Sequence, residues 1–136
     1  MSERNVQRQT RADVEFRMPA DSAFVAVLRT TAASVAARLD FTIDDIEDLR
    51  MAVGEACALV LTMADEGADL TSRFFFEAGV LTLRIQAPAA DAKEPDTDSF
   101  AWQVLTTLAD QASASVTGGE IEIALTMHSA MHDTPS

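Results

Sequence analysis

The sequence predicts an α+β fold, a two-layer sandwich with helices on one face of a mainly antiparallel sheet. Three observations predict it. Strand, helix, helix, hairpin, helix and hairpin follow one another along the chain, an order that puts hairpin-linked strands in one sheet and leaves the helices to cover it. Thr42 to Met63 repeats Ile46, Leu49, Val53, Ala56 and Val60 at three- and four-residue steps, one apolar stripe along about six helical turns. Leu70 to Glu77 and Val80 to Gln86 read instead as two strands joined through Ala78 and Gly79, a hairpin.

Taken in order, Asp13 to Met18 alternates Val14, Phe16 and Met18 with charged residues, the period of a half-buried strand, and Pro19 stops it. Asp21 or Ser22 caps a helix to Leu39 with Phe24, Val27, Leu28, Val35 and Leu39 in its stripe and Arg29 and Arg38 outside it. The next helix has a firm start. Thr42 can cap the amide of Asp45, while Asp44, Asp45, Glu47 and Asp48 place negative charge at the positive end of the helix dipole. Further along, Glu55 stands among Gly54, Ala56, Cys57 and Ala58, small residues that let another segment or a ligand approach closely. Such a carboxylate either has a job or partner, or sits at the edge of the stripe and reaches solvent. In the first hairpin Phe74, Phe76, Leu81, Leu83 and Ile85 supply core, and Phe75 falls on the other face.

Ala87 to Asp98 has two prolines, four acids and no large apolar residue, the composition of a surface loop. Ser99 caps a helix from Phe100 to about Ala109 with Val104, Leu105 and Leu108 inward. Strands near Ala112 to Val116 and Glu120 to Met127 turn around Gly118 and Gly119. The organisation is therefore one domain over 13–127, with a disordered start over 1–12 and a flexible tail over 128–136. His128 and His132 stand four apart, but near a polar terminus without a third ligand they read as solvated, and no metal site is expected.

With 136 residues, 48% of them hydrophobic, the chain has enough apolar material for one two-layer core. Its formal net charge is −12, although Arg4, Arg8 and Arg11 sit in the polar first dozen residues, so the body is more acidic still. That charge repels nucleic acid and anionic membrane and steers in a basic protein. There is no signal peptide and no apolar run of membrane-spanning length, and Cys57 is alone, so a cytoplasmic chain without an internal disulfide is expected. Cys57 lies on an apolar helix without cationic neighbours and reads as a packing residue. A Gly-rich phosphate loop, GxSxG and HExxH are all missing.

PADSAFVAVLRTTAASVAARLDF, TIDDIEDLRMAVGEAC and SFAWQVLTTLAD resemble successive blocks of the RsbW/SpoIIAB anti-sigma factors, most closely the actinobacterial branch that includes UsfX. The resemblance covers most of Val14 to Met127, and its specificity lies in the combination of blocks. It implies the histidine-kinase-like (GHKL, Bergerat-type) ATPase fold, a sigma factor as partner, and partner switching by a STAS-type anti-anti-sigma factor. In many members the domain phosphorylates a serine of that antagonist. A homodimer and a role in stress response are implied as well.

Carried over residue by residue, the resemblance places Glu55 on the family's general base. The magnesium-holding asparagine falls at Leu59, whose alkyl chain offers a hard cation no oxygen. The adenine-reading aspartate falls at Ala87, its two glycines at Ala89 and Asp91, and the second glycine box at Ser99, Phe100 and Ala101. Side chains replace the glycines that a phosphate cradle needs. Kinase activity is therefore expected to be lost, with no cofactor required and only weak ATP and Mg²⁺ binding left open. Beside this anti-sigma reading stand two alternatives, an active serine kinase of the same family, supported by Glu55 alone, and a non-catalytic scaffold or ligand-binding domain that keeps the fold. Phe100, Trp102, Val104 and Leu105 are expected to fill the vacated nucleotide volume. Arg29 falls on a first-helix arginine that contacts the sigma factor and its antagonist; outside the stripe, it is either an interface anchor or a solvated arginine. Asp44 and Asp45 are candidates to meet a basic patch of the partner, beside their plainer role at the helix start.

Overall fold

A computed structural model describes residues 11–130. Of the disordered start expected over 1–12 and the tail expected over 128–136, residues 1–10 and 131–136, His132 included, lie outside the described residues. In chain order come β1 (Val14–Pro19), a 3-10 turn (Ser22–Phe24), α1 (Val25–Arg38), α2 (Ile43–Met63), β2 (Asp69–Glu77) and β3 (Val80–Pro88). Then follow α3 (Phe100–Leu108), β4 (Gln111–Thr117) and β5 (Glu120–His128). The five strands form one antiparallel sheet in the order β1-β2-β3-β5-β4. All three helices lie on one face of that sheet, which is the two-layer α+β arrangement the sequence predicts.

Alternation sets the inner face. Val14, Phe74, Leu83, Leu125 and Ala112 are register partners in one row across the sheet, and Ser72, Ile85, Ile123 and Ala114 form the next. Strands of period two must send these rows to the same side, and Phe74, Leu83, Ile85, Ile123 and Leu125 are buried there. The opposite face carries ion pairs instead, Arg73 with Glu15 at 2.8 Å and Arg84 with Glu122 at 2.9 Å. On the helical side α2 lies over β3 and β5 and is flanked by α1 and α3. Its buried residues Leu49, Ala52, Val53, Ala56, Cys57 and Val60 are the predicted stripe widened by small side chains. A full capping box fixes its start: Thr42 Oγ1 accepts from the Asp45 amide at 3.1 Å, and the Asp45 carboxylate accepts from the Thr42 amide at 3.2 Å.

Four expectations need correction. The stripe of α1 is Leu28, Ala32 and Ala36, all fully buried, whereas Phe24 and Val27 are 39% and 47% exposed. Alanines at four-residue steps let α1 approach α2 closely, so the packing seam is made of residues that a search for large side chains passes over. Asp21 caps the 3-10 turn through the Ala23 amide, and the α-helix proper starts at Val25. Pro19 ends β1 from inside the strand, which an edge strand tolerates. The Ala87–Asp98 loop begins late: β3 runs to Pro88, and Ala87 and Ala89 are fully buried.

The other end is tied down too. His128 is the last residue of β5, Ser129 is buried with its amide on Gly79 O at 2.8 Å, and its hydroxyl donates to Asp40 O at 3.1 Å. Asp40 holds a left-handed φ of 63° where the chain turns from α1 into α2, a conformation aspartate tolerates better than most. Residues 128–130 therefore belong to the body.

Candidate functional site

The site is built on the side of α2 that faces away from the sheet. Leu49, Val53, Ala56 and Val60 point inward, so Arg50, Met51, Gly54 and Glu55 form the outer surface of the same helix. Gly54 has no side chain, and Arg29 from α1 reaches over it; a Cβ on Gly54 would stand 3.7 Å from Arg29 Cδ. From the other flank α3 contributes Val104 and Leu108. The three helices thus border an open, groove-like cavity of about 350 Å³ lined by Arg29, Arg50, Met51, Gly54, Glu55, Val104 and Leu108.

Charge and hydrogen bonding distinguish this cavity from an ordinary helix groove. Two guanidiniums face one carboxylate, in a chain whose formal net charge is −12. Neither arginine belongs to an ion pair among the described residues, since the pairs found lie on the far face of the sheet. Arg29 Nε is cut off from solvent and has no acceptor. A buried donor without a partner costs about 1–3 kcal/mol.

The sequence-predicted residues divide between this cavity and other places. Arg29 and Glu55, expected as a partner anchor and a remnant base, come together in it. Arg29 is half-buried between helices instead of standing on a free outer face, and Glu55 is half-buried at the cavity wall. Leu59, Ala87, Ala89, Asp91 and Phe100 do not line it. Leu59 packs against the core and Asp91 is exposed. The collapse expected from the third helix is only partial: Trp102 and Leu105 are buried, but Phe100 is 82% exposed and Val104 borders open volume. A phenylalanine at the first turn of α3 projects off the end of the packed layer instead of into it.

ATP and Mg²⁺ do not fit the residues present. The Ala89 amide donates to Gly119 O at 2.7 Å and the Ala90 amide to Asp65 Oδ1 at 2.9 Å. A phosphate cradle needs such amides free and convergent; here they tie the end of β3 to neighbouring turns. Leu59 supplies no oxygen, and among the described residues no three His, Cys, Asp or Glu side chains stand together as metal ligands. Glu55 lies two turns before the end of α2, about 12 Å of helix rise, whereas Ala87 and Ala89 sit beyond that end, next to Asp65.

Asp45 is taken by structure as well. Besides its box with Thr42, its carboxylate accepts the Ala130 amide at 3.0 Å and so joins the start of α2 to the chain beyond β5. Asp44 is exposed and keeps the character of a steering charge. Asp45→Ala is expected to cost about 1–2 kcal/mol and Asp44→Ala about 0.5 kcal/mol. Urea midpoints of the two variants check this, and equal shifts would contradict it.

Arg50 and Met51 are the residues that sequence reasoning missed. The signal is present in hindsight: Arg50, Met51, Gly54 and Glu55 stand at one- and four-residue spacings opposite the core stripe, a second, mixed stripe around the one residue without a side chain.

No family model matches the sequence. The fold is shared with a solved Mycobacterium tuberculosis structure of RsbU and RsbW domains, which superposes with a TM-score of 0.65 at 12% identity, over 85% of this chain and 31% of that one. Sequence comparison is more particular, and over the matched stretch the chain is similar to proteins named serine-protein kinase RsbW. It is 47% identical over 62 residues to serine-protein kinase RsbW of Halalkalibacterium halodurans, covering 45% of this chain and 38% of that protein. To the Bacillus subtilis protein of the same name it is 36% identical over 90 residues, 64% of this chain and 51% of that one. The chain thus spans about half or less of the curated relatives it matches. The actinobacterial assignment stays an expectation.

Proposed function

We propose that the chain is an anti-sigma factor that sequesters an alternative sigma factor by direct contact, is released by a STAS-type anti-anti-sigma factor, and carries out no phosphoryl transfer. The observation that carries this reading is the pairing of Arg29 with Glu55 in one cavity, away from the degenerate adenine and phosphate positions. A surface offering an unsatisfied guanidinium, apolar walls and a nearby steering charge is suited to binding a protein. The RsbW homology supports the partner class. A homodimer in the cytoplasm completes the proposal, and no helix among the described residues is long and apolar enough to cross a membrane.

A second reading has its own support, since the relatives are named serine-protein kinases. In that case Glu55 would act as general base towards a serine of the antagonist. Leu59 and the committed amides of Ala89 and Ala90 argue against it, because phosphoryl transfer depends almost wholly on metal and amide positioning. Calorimetry with MgATP is expected to give no saturable heat in the micromolar range, while a sigma factor co-purifies with the chain. A magnesium-dependent micromolar isotherm abolished by Glu55→Ala would decide for the kinase. Failure of every candidate sigma factor to co-purify would remove the anti-sigma reading.

A further inference from the structure

We propose that the cavity between α1, α2 and α3 is a binding site for a small organic monocarboxylate with an apolar body. The inference goes beyond the anti-sigma reading and does not rest on it; because both use Arg29, the small ligand and the partner protein would compete for this site. The cavity of about 350 Å³ falls at the lower end of the range for small-molecule sites. Its polar equipment is asymmetric. Arg29 and Arg50 bring two guanidiniums to the wall from adjoining helices. A carboxylate is the planar acceptor that a guanidinium fork matches best, and a desolvated wall strengthens the bond.

Charge count selects among anions. Two arginines against Glu55 leave the cavity one positive charge, enough for a monoanion and too little for a polyphosphate, which Glu55 would repel. The remaining walls select the body of the ligand. Met51, Val104 and Leu108 offer thioether and branched aliphatic surface; burying an alkyl chain there is worth about 0.8 kcal/mol per methylene, and methionine adapts to irregular shapes. Gly54 has no side chain, so the stem of Arg29 lies over it and carries the guanidinium to the site. Inorganic phosphate would satisfy the arginines but leave the apolar walls wet, and an alcohol of the same length would do the reverse.

Backbone and methyl NMR of the full 136-residue chain, titrated separately with hexanoate, 1-hexanol and inorganic phosphate, tests the assignment. Hexanoate is expected to shift the Met51 and Gly54 amides and the Val104 and Leu108 methyls saturably in the millimolar range, at least tenfold more tightly than either control. Arg50→Gln should weaken hexanoate tenfold or more and leave 1-hexanol unchanged. Arg29→Gln should do the same, and if that variant fails to fold the Arg50→Gln result decides. Equal binding of 1-hexanol, equal binding of phosphate, or no saturable shift at these four residues would each overturn the proposal. Saturation by an acidic peptide but not by hexanoate would overturn it too and assign the cavity to a protein segment.

Discussion

Arg29→Ala is expected to weaken binding of the sigma factor by about 2 kcal/mol or more, roughly 30-fold, chiefly through faster dissociation. An exposed arginine would not justify that figure, because a solvated ion pair contributes about 0–1 kcal/mol. Arg29 differs in its surroundings. Its Nε is buried without an acceptor in the free chain, so part of the guanidinium is desolvated before the partner arrives, and a partner carboxylate meeting the part of the side chain that lines the site gains a charge-assisted bond. Gly54 beneath it makes room for the stem of Arg29 itself, which lies over that position. In a chain of net charge −12, general attraction does not call for an arginine at a cavity wall; a specific acidic counterpart does. Removing the exposed charge of Asp44 should act on the other rate constant, slowing association and flattening its salt dependence. Dissociation and association rates of the purified pair at several salt concentrations separate the two effects. A folded Arg29→Ala chain that binds as tightly as the parent would move the interface elsewhere.

How much of this was legible in the sequence depended on whether the signal was local. α2 was readable because its cap, its acidic first turn and its stripe lie within one stretch, and the capping box between Thr42 and Asp45 is in place. The hairpins were readable for the same reason, with Gly79, Gly118 and Gly119 at positive φ in the turns. α1 was read in part: Leu28 lies in its seam and Val35 and Leu39 pack against the core, but Phe24 and Val27 are exposed, and Ala32 and Ala36 were passed over because alanine carries little weight in a search for large apolar residues yet decides how closely two helices approach. Ala87 and Ala89 were assigned to a loop by composition, but the sheet extends to Pro88 and buries them under the helical layer. The cavity was least legible. Its members come from three helices, and nothing in the local spacing of Arg29, Arg50 or Leu108 states that they meet. Glu55 was singled out because small neighbours surround it, and those neighbours do leave room, though for Arg29 and α3 instead of for a nucleotide.

Cys57 is expected to be alkylated by iodoacetamide roughly 10³-fold or more slowly in the folded chain than in urea at neutral pH. The residue is fully buried on the inner side of α2, and burial pushes its thiol up from 9.0 to about 12. Both facts act in the same direction, because the thiolate is the nucleophile and the reagent must reach it. Modification then reports opening of the α2 layer, which makes Cys57 a probe of the helices that form the cavity. The raised value has a second consequence. Between pH 9 and about 12 the folded chain keeps this proton while the unfolded chain loses it, so stability falls as pH rises through that window, by about 1.4 kcal/mol per pH unit. The contribution is fully present below pH 9. Cys57→Ala removes it and leaves a small cavity that costs about 1 kcal/mol at neutral pH. Parent and variant compared by urea unfolding from about pH 8 to about pH 10 should therefore converge, the parent losing more. Rapid alkylation without denaturant, or parallel pH profiles for the two chains, would place Cys57 outside the core and loosen the packing on which the site depends.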